Sequence, residues 1–256
     1  TYNTGPLMPS DKYFKEPQTL RDRQVRKTTQ VMQWITGQKD GGAALITLTE
    51  LAINSAEYAS ALQRTIMSET GMKALVFPGK PNDKHAGVAL LWDPRTLTVS
   101  HTKTVVPGRL EVCEGRFKII GDPFTIGICY MYATEGIRSV LCRILKAHHI
   151  HWLGTDFIWS GDYNGAPEGK YYSSGTWRGD VRDHLCKQIA DIDGVAFIDR
   201  EDPESLIADT RNPRIEASLT RPARINARRD NTWISGSANR IDHIIGGGYC
   251  TEMLTV

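Results

Sequence analysis

The sequence predicts an α/β fold in which two mixed β-sheets pack face to face, with helices on the outside. Two observations support this: strand and helix patterns alternate along the 256 residues, and hairpin patterns interrupt the alternation. Alternation alone favours a doubly wound parallel sheet, whereas hairpins require antiparallel neighbours, so mixed sheets account for both. No repeat, low-complexity tract or linker divides the chain. We therefore expect a single domain over residues 1–256 with a full core.

The individual elements follow from apolar periodicity and turn residues. Apolar residues at helical spacing predict helices over residues 20–35, 56–70, 137–149 and 180–192. Apolar runs bounded by turns predict strands over residues 43–51, 73–77, 87–92, 96–100, 124–132 and 195–198, with a hairpin over 104–120. A further buried strand contains Trp159, and a short one opens the chain at Tyr2-Asn3.

Composition limits the class of protein. Hydrophobic residues make up 40% and charged residues 23%, which is ordinary for a globular domain. No apolar run approaches the roughly 20 residues of a membrane span, so we predict no membrane partner. The five cysteines are odd in number and widely spread, which argues against a disulfide framework. Cys129 and Cys142 lie in apolar patterns, and reduced thiols there indicate an intracellular location, nuclear or cytoplasmic.

One basic segment stands out against a net charge of only +2. Six arginines there are opposed by Glu216 alone: Arg211, Arg214, Arg221, Arg224, Arg228 and Arg229. Two interpretations of this arginine segment stay open. It is either a solvated loop or a surface that contacts phosphates beside a site.

Polar residues follow or interrupt three apolar strands. Asp162 and Asn164 come at the end of the Trp159 strand, and their spacing of two places both side chains on one face at the carboxyl end of that strand. Asp242 lies in another apolar strand. Glu50 ends the apolar run 43–51, where a carboxylate costs free energy unless a metal ion or a base pairs with it. Alternatively, Glu50 starts a helix. Acids and an amide at strand ends could hold a metal ion and a phosphate.

Five short segments share an order along the chain with known motifs: Tyr2-Asn3-Thr4-Gly5-Pro6-Leu7, Leu48-Thr49-Glu50, Tyr130-Met131-Tyr132-Ala133, Gly161-Asp162-Tyr163-Asn164, and Thr232-Trp233 with Asn239-Arg240-Ile241-Asp242. In that order they resemble the endonuclease/exonuclease/phosphatase superfamily, whose members have the DNase I-like four-layer sandwich. The apurinic-like endonuclease domain of non-LTR retrotransposons is the most similar branch.

The resemblance implies a role for each matching residue. It makes Glu50 and Asn3 ligands of a divalent ion, Mg²⁺ or Mn²⁺, and it makes Tyr132 a hydrogen-bond donor to the scissile phosphate. Asp162 would orient or deprotonate the attacking water, and Asn164 would hold that water and a phosphate oxygen. The resemblance also implies that Asp242 supports a catalytic histidine, and that Thr232, Asn239 and the arginine segment contact DNA.

One part of the superfamily pattern is absent. The Ser-Asp-His motif that closes these domains does not occur before Val256. His243 should point away from Asp242 and is left out of the site, and the histidines at 148, 149 and 151 favour a helix end over a metal site. The interpretations that stay open are a trimmed segment of a longer polyprotein, a missing terminus, and a domain that no longer cleaves.

We therefore expect a metal-dependent phosphodiesterase that nicks DNA within a retroelement-type polyprotein. A first alternative is a catalytically incomplete module of the same fold that binds nucleic acid or serves assembly. A second is a phosphodiesterase acting on phosphoinositides or nucleotides, since substrate choice in one fold lies in the loops. No feature of the sequence indicates an oligomeric state.

Overall fold

The computed structural model describes the backbone of residues 2–3, 17–119, 121–131, 147, 156–164, 195–197, 233–234, 238–239 and 242–247. It describes side-chain surroundings for residues 25–119, 121–131, 147 and 156–164. The chain divides into two compact units. The first comprises Thr1–Tyr130 with Trp159–Gly161, and the second comprises Met131–Ile158 with Asp162–Val256.

The described helices and strands have the following bounds. The helices are α1 (Pro17–Asp40) and α2 (Ala56–Thr70). The strands of the first half are β1 (Tyr2–Asn3), β2 (Leu45–Thr49), β3 (Lys73–Phe77), β4 (Val88–Trp92), β5 (Leu97–Val106), β6 (Leu110–Phe117) and β7 (Pro123–Tyr130). Those that follow are β8 (Phe157–Asp162), β9 (Val195–Phe197), β10 (Trp233–Ile234), β11 (Ala238–Asn239) and β12 (Asp242–Gly247).

A four-stranded mixed sheet forms the first layer, in the order β1-β2-β4-β3. β1 runs parallel to β2, and β4 is antiparallel to both β2 and β3. Apolar and polar residues alternate along most of β2, so one face of the strand is apolar and the other carries threonines. Ile46 and Leu48 join the apolar core that includes Ile35 of α1 and Ile66 of α2. The sheet therefore carries its helices on the face that these apolar residues cover.

The opposite face of β2 meets the second sheet. Thr47 and Ser160 of β8 are both buried, and their hydroxyl groups form a hydrogen bond. In the described part of the chain, the second sheet has six strands in the order β5-β6-β7-β8-β12-β9, with antiparallel pairs at β5–β6, β6–β7 and β12–β9. A separate antiparallel ribbon joins β10 and β11. Within the first unit, strands of the two sheets thus pack face to face, as predicted.

Most of the element predictions that fall on described residues are confirmed, and one needs correction. α2 and β3 have the predicted bounds. β5, however, is one continuous ten-residue strand up to Val106, with register shifts after His101 and after Thr104. The sequence suggested a strand over 96–100 and a separate hairpin over 104–120. β5 is an exposed edge strand. Its middle residues are polar, so they lack the alternation of apolar and polar residues that would predict a strand.

The remaining element predictions are limited by what is described. The predicted helix over 180–192 lies outside the described residues, as does that over 137–149 except for residue 147. The single-domain prediction for residues 1–256 stays a prediction. Within the described part of the chain, no helix combines the length and apolarity needed to cross a membrane.

A buried carboxylate stabilises the turn between β5 and β6. Glu111 is 1% exposed, and its Oε1 accepts the Gly108 N–H at 3.0 Å. Its Oε2 accepts the Thr104 hydroxyl at 2.7 Å and lies 3.3 Å from His101 Nε2. Burial raises the pKa of Glu111, and the hydrogen bonds and His101 only partly oppose this. The Cys113 thiol nearby has its pKa raised to about 12, by burial and then by Glu111, so it stays neutral.

We expect the stability contributed by Glu111 to fall as the pH rises. Because its folded pKa is raised, the native state binds the proton more tightly than the unfolded chain, which favours folding at low pH. Glu111→Gln removes this titration. The melting temperature of the variant minus that of the wild type should therefore increase between pH 4.5 and 7.5. His101→Gln serves as the control for the facing histidine. A difference that is constant with pH would contradict the prediction.

Candidate functional site

Glu50 lies at a strained corner directly after β2. Its backbone is left-handed with φ +59°, and Ala52 has φ +55°. Such conformations cost about 1–3 kcal/mol each in residues other than glycine. They persist because the buried Leu51 donates its N–H to the Gly87 carbonyl at 3.0 Å and Ile53 donates to the Ala86 carbonyl at 3.0 Å. The β3–β4 loop therefore fixes the corner that carries Glu50.

The Glu50 side chain is partly exposed and lies near a histidine and a lysine. It is 24% exposed, and its Oε1 lies 3.7 Å from Nδ1 of His85. Burial lowers the pKa of Lys27 on α1, and attraction to Glu50 opposes that shift. The alternative interpretation of Glu50 as a helix start is wrong, because α2 begins only at Ala56 with Ser55 as its N-cap.

Strand pairing places the backbone of Asn3 next to the corner that carries Glu50. In the parallel pairing of β1 with β2, Asn3 is opposite Thr49, the residue before Glu50. The carboxyl ends of these two strands thus meet at the same edge of the sheet. Among the side chains that the structure describes, no three His, Cys, Asp or Glu residues group into a metal site by themselves. Carboxylate and amide groups nevertheless carry the oxygen ligands that suit Mg²⁺ or Mn²⁺.

In the second unit, Asp162 and Asn164 form a hydrogen-bonded turn. The Asp162 side chain is buried, with the residue 1% exposed, and its Oδ1 accepts the Asn164 N–H at 2.8 Å. Asn164 is left-handed with φ +49°, and its Nδ2 donates to the Met131 carbonyl at 3.0 Å. Met131 in turn donates its N–H to the Asp162 carbonyl at 2.8 Å. Since the amide nitrogen is held by Met131, Asn164 can offer its amide oxygen to a ligand.

A hydrogen-bonded turn, and not strand alternation, brings Asp162 and Asn164 together. Strand alternation was expected to place both on one face, but β8 ends at Asp162 and Asn164 is not extended. The two residues are brought together because the aspartate side chain hydrogen-bonds the backbone two residues on, as aspartates do in turns. Tyr163 between them is fully buried and anchors the turn.

Gly161 is the position of this motif that local structure requires to be glycine. It has φ +147°, and a Cβ there would lie 1.8 Å from the carbonyl oxygen of Cys129 on β7. A side chain cannot fit against the main chain of the neighbouring strand. The glycine therefore lets β8 approach β7 closely just before Asp162.

The other predicted site residues are only partly described. Asn239 is on β11, opposite Trp233, and Asp242 is the first residue of β12; only their backbones are described. Tyr132, Thr232 and the six residues of the arginine segment lie outside the described residues. The roles assigned to all of these stay predictions. Sequence reasoning missed His85 and Lys27 near Glu50, because neither residue belongs to a local motif.

Comparisons with known proteins bear on the fold. No protein-family model and no curated protein matches the chain. Among solved structures it is similar to the AP endonuclease LMAP from Leishmania major, with a TM-score of 0.58 at 10% identity over 98% of this chain and 79% of that one. It is also similar to the endonuclease domain of TRAS1, a telomere-specific non-LTR retrotransposon, with a TM-score of 0.53 at 14% identity over 88% of this chain and 79% of that one.

A third similar structure is the human Nocturnin catalytic domain with a bound sulfate anion, with a TM-score of 0.50 at 14% identity over 97% of this chain and 80% of that one. At these identities the likeness shows the fold alone. That fold is the one that the order of the five motifs predicted. The chain has the DNase I-like α/β sandwich fold of the endonuclease/exonuclease/phosphatase proteins.

Proposed function

We propose that the chain is a divalent-metal-dependent phosphodiesterase, an endonuclease domain that nicks DNA within a retroelement-type polyprotein. The observation that carries the proposal is the turn at the end of β8. A buried carboxylate on Asp162 is held in place by the Asn164 backbone, while the Asn164 side chain is fixed by Met131. A fixed acid beside a fixed amide is what in-line attack of water on phosphorus requires.

Each residue has a distinct part in the proposed reaction. Asp162 orients the attacking water and accepts its proton, as a positioned carboxylate can. Asn164 uses its amide oxygen to hold the same water. Attack forms the new oxygen–phosphorus bond and breaks the bond to the leaving oxygen. By resemblance, Tyr132 donates a hydrogen bond to the scissile phosphate. Asp242 would support a catalytic histidine, but the Ser-Asp-His motif that carries this histidine in the superfamily does not occur up to Val256.

Glu50 and Asn3 fit the role of ligands for Mg²⁺ or Mn²⁺. A bound ion would supply positive charge at the phosphate and at the leaving oxygen. The Glu50 carboxylate is partly exposed, so a metal ion can reach it. The left-handed corner holds the residue in one conformation before any ion binds, which lowers the entropy lost on binding.

DNA is the proposed substrate. Six arginines at residues 211–229 provide positive charge for backbone contacts, with Thr232 and Asn239 as neighbouring contacts. Similarity of fold to an AP endonuclease and to a retrotransposon endonuclease domain supports this choice. The proposal includes an intracellular location, nuclear or cytoplasmic, supported by five cysteines that are odd in number and widely spread along the sequence.

Glu50→Gln tests the metal role of this residue. The variant keeps the size and a hydrogen-bonding oxygen but loses the charge that attracts the ion. The Mg²⁺ concentration for half-maximal nicking of supercoiled plasmid should rise by about tenfold or more. Glu57→Gln, an exposed glutamate in the first turn of α2, is the matched control and should behave as the wild type. An unchanged Mg²⁺ requirement in Glu50→Gln would remove Glu50 from the site.

The same assay separates the alternatives. Hydrolysis of a soluble inositol phosphate or a nucleotide, without nicking of plasmid, would replace DNA as the substrate. DNA binding without turnover of any of these substrates in Mg²⁺ or Mn²⁺ would indicate a module that binds nucleic acid but does not cleave it.

A further inference from the structure

The turn between β5 and β6 contains a buried cation that the proposed reaction does not use. The Arg109 side chain is 4% exposed. Its Nε and Nη2 donate to the two carboxylate oxygens of Asp83, each at 2.7 Å, and its guanidinium carbon lies 4.3 Å from the centre of the Tyr130 ring. Burying a guanidinium is costly unless its donors are satisfied, so this arrangement fixes all three residues relative to one another.

Arg109 thereby holds two separate segments of the first unit. One is the β3–β4 loop, in which Asp83 donates its N–H to the Lys80 carbonyl and accepts the Ala86 N–H. The other is the end of β7, where Tyr130 donates its N–H to the Arg109 carbonyl at 2.7 Å and accepts from Arg109 Nη1 at 3.3 Å. In the chain, Tyr130 directly precedes Met131 and the predicted phosphate donor Tyr132.

The β3–β4 loop is the same loop that fixes the Glu50 corner. Its carbonyls at Ala86 and Gly87 accept the N–H groups of Ile53 and Leu51, and His85 lies 3.7 Å from the Glu50 carboxylate. Gly87 also donates its N–H to the Gly108 carbonyl, in the residue before Arg109, at 3.0 Å. A continuous set of contacts therefore runs from the β5–β6 turn through the loop to the strained backbone at Glu50.

We propose that Arg109, acting through Asp83, is a positioning residue for Glu50 and for the divalent ion that Glu50 would hold. The inference rests on the proposed function. The left-handed backbone at Glu50 and Ala52 persists only while the loop carbonyls stay in place. The loop is kept there by the fork, the pair of hydrogen bonds from Arg109 to the two carboxylate oxygens of Asp83. Loosening the fork lets the corner relax, so the ion must order it again on binding and affinity falls.

The test measures metal binding and local opening, and does not depend on turnover. Asp83→Asn removes the charge at a side chain that is 17% exposed, and Arg109→Lys keeps the charge but cannot form the fork. Both variants should bind Mn²⁺ about tenfold more weakly in a calorimetric titration. In the metal-free proteins, the amides of Leu51 and Ile53 should exchange with solvent faster than in the wild type, whereas the amides of β6 should not.

Asp93→Asn is the matched control. Asp93 and Arg95 also form a two-oxygen ion pair, with the shortest contact at 2.7 Å, but they lie at the opposite end of β4 from Gly87. Removing that pair should lower the melting temperature without weakening Mn²⁺ binding. Asp83→Asn that binds Mn²⁺ as the wild type does, or Asp93→Asn that weakens binding equally, would overturn the positioning role. Wild-type protein that binds no Mn²⁺ would instead overturn the assignment of Glu50, and the inference with it.

Discussion

Asp162→Asn is expected to lower the rate of plasmid nicking by about 10³-fold while the protein stays folded. Asparagine keeps an oxygen where Asp162 Oδ1 accepts the Asn164 N–H at 2.8 Å, and its volume is nearly the same. What it loses is the negative charge and the ability to take a proton from water. The measurement is the initial rate of conversion of supercoiled to open-circular plasmid in Mg²⁺, together with the melting temperature.

The control for this variant is Asp122→Asn, which removes an exposed carboxylate before β7. It should nick plasmid at the wild-type rate. Asp162→Ala, which also removes the acceptor for Asn164, should lower the melting temperature further than Asp162→Asn does. Nicking by Asp162→Asn at the wild-type rate would show that the carboxylate only holds the turn.

Gly161→Ala is expected to have the largest effect on stability, a loss of more than about 4 kcal/mol in the free energy of unfolding. The added Cβ would lie 1.8 Å from the Cys129 carbonyl oxygen and 2.8 Å from its carbonyl carbon, and φ +147° is strained for alanine in any surroundings. The obstacle is the main chain of the neighbouring strand, which cannot rotate away as a side chain can. Urea unfolding followed by circular dichroism measures the loss.

Gly37→Ala provides the contrast, since it places the same methyl group where it meets nothing within 4 Å, inside α1. Alanine is favoured over glycine in a helix by about 1 kcal/mol, so this variant should be as stable as the wild type or more stable. If the free energy of unfolding of Gly161→Ala lay within about 1 kcal/mol of the wild-type value, that result would contradict the close approach of β8 to β7.

Local signals explain why much of the fold was predictable from the sequence. α2 has a serine N-cap at Ser55 and a left-handed Gly71 at its end, so both of its boundaries are encoded nearby. β4 is buried at all five positions, and its continuous apolar run predicts that burial from the sequence. The order of the five motifs predicted the DNase I-like sandwich, although no single motif does so alone.

The features that sequence reasoning missed depend on contacts distant in the chain. Asp83 and Arg109 are 26 residues apart, and no local pattern indicates that their side chains meet in the interior. The left-handed backbone of Glu50 arises from hydrogen bonds to a loop more than 30 residues further along. Strand alternation predicts that Asn164 lies on the same face as Asp162, but β8 ends at Asp162 and the alternation does not continue to Asn164. In each case tertiary context overrode the local pattern.

The most direct test of the central claim is a plasmid-nicking time course with the unaltered protein in Mg²⁺, repeated with excess EDTA. The proposed function predicts open-circular product that accumulates in Mg²⁺ and stops on chelation, with Mn²⁺ able to restore it. Nicking that continues at the same rate in EDTA would contradict a metal-dependent mechanism. Intact plasmid in both metal ions, from protein shown to be folded, would contradict the assignment as an endonuclease.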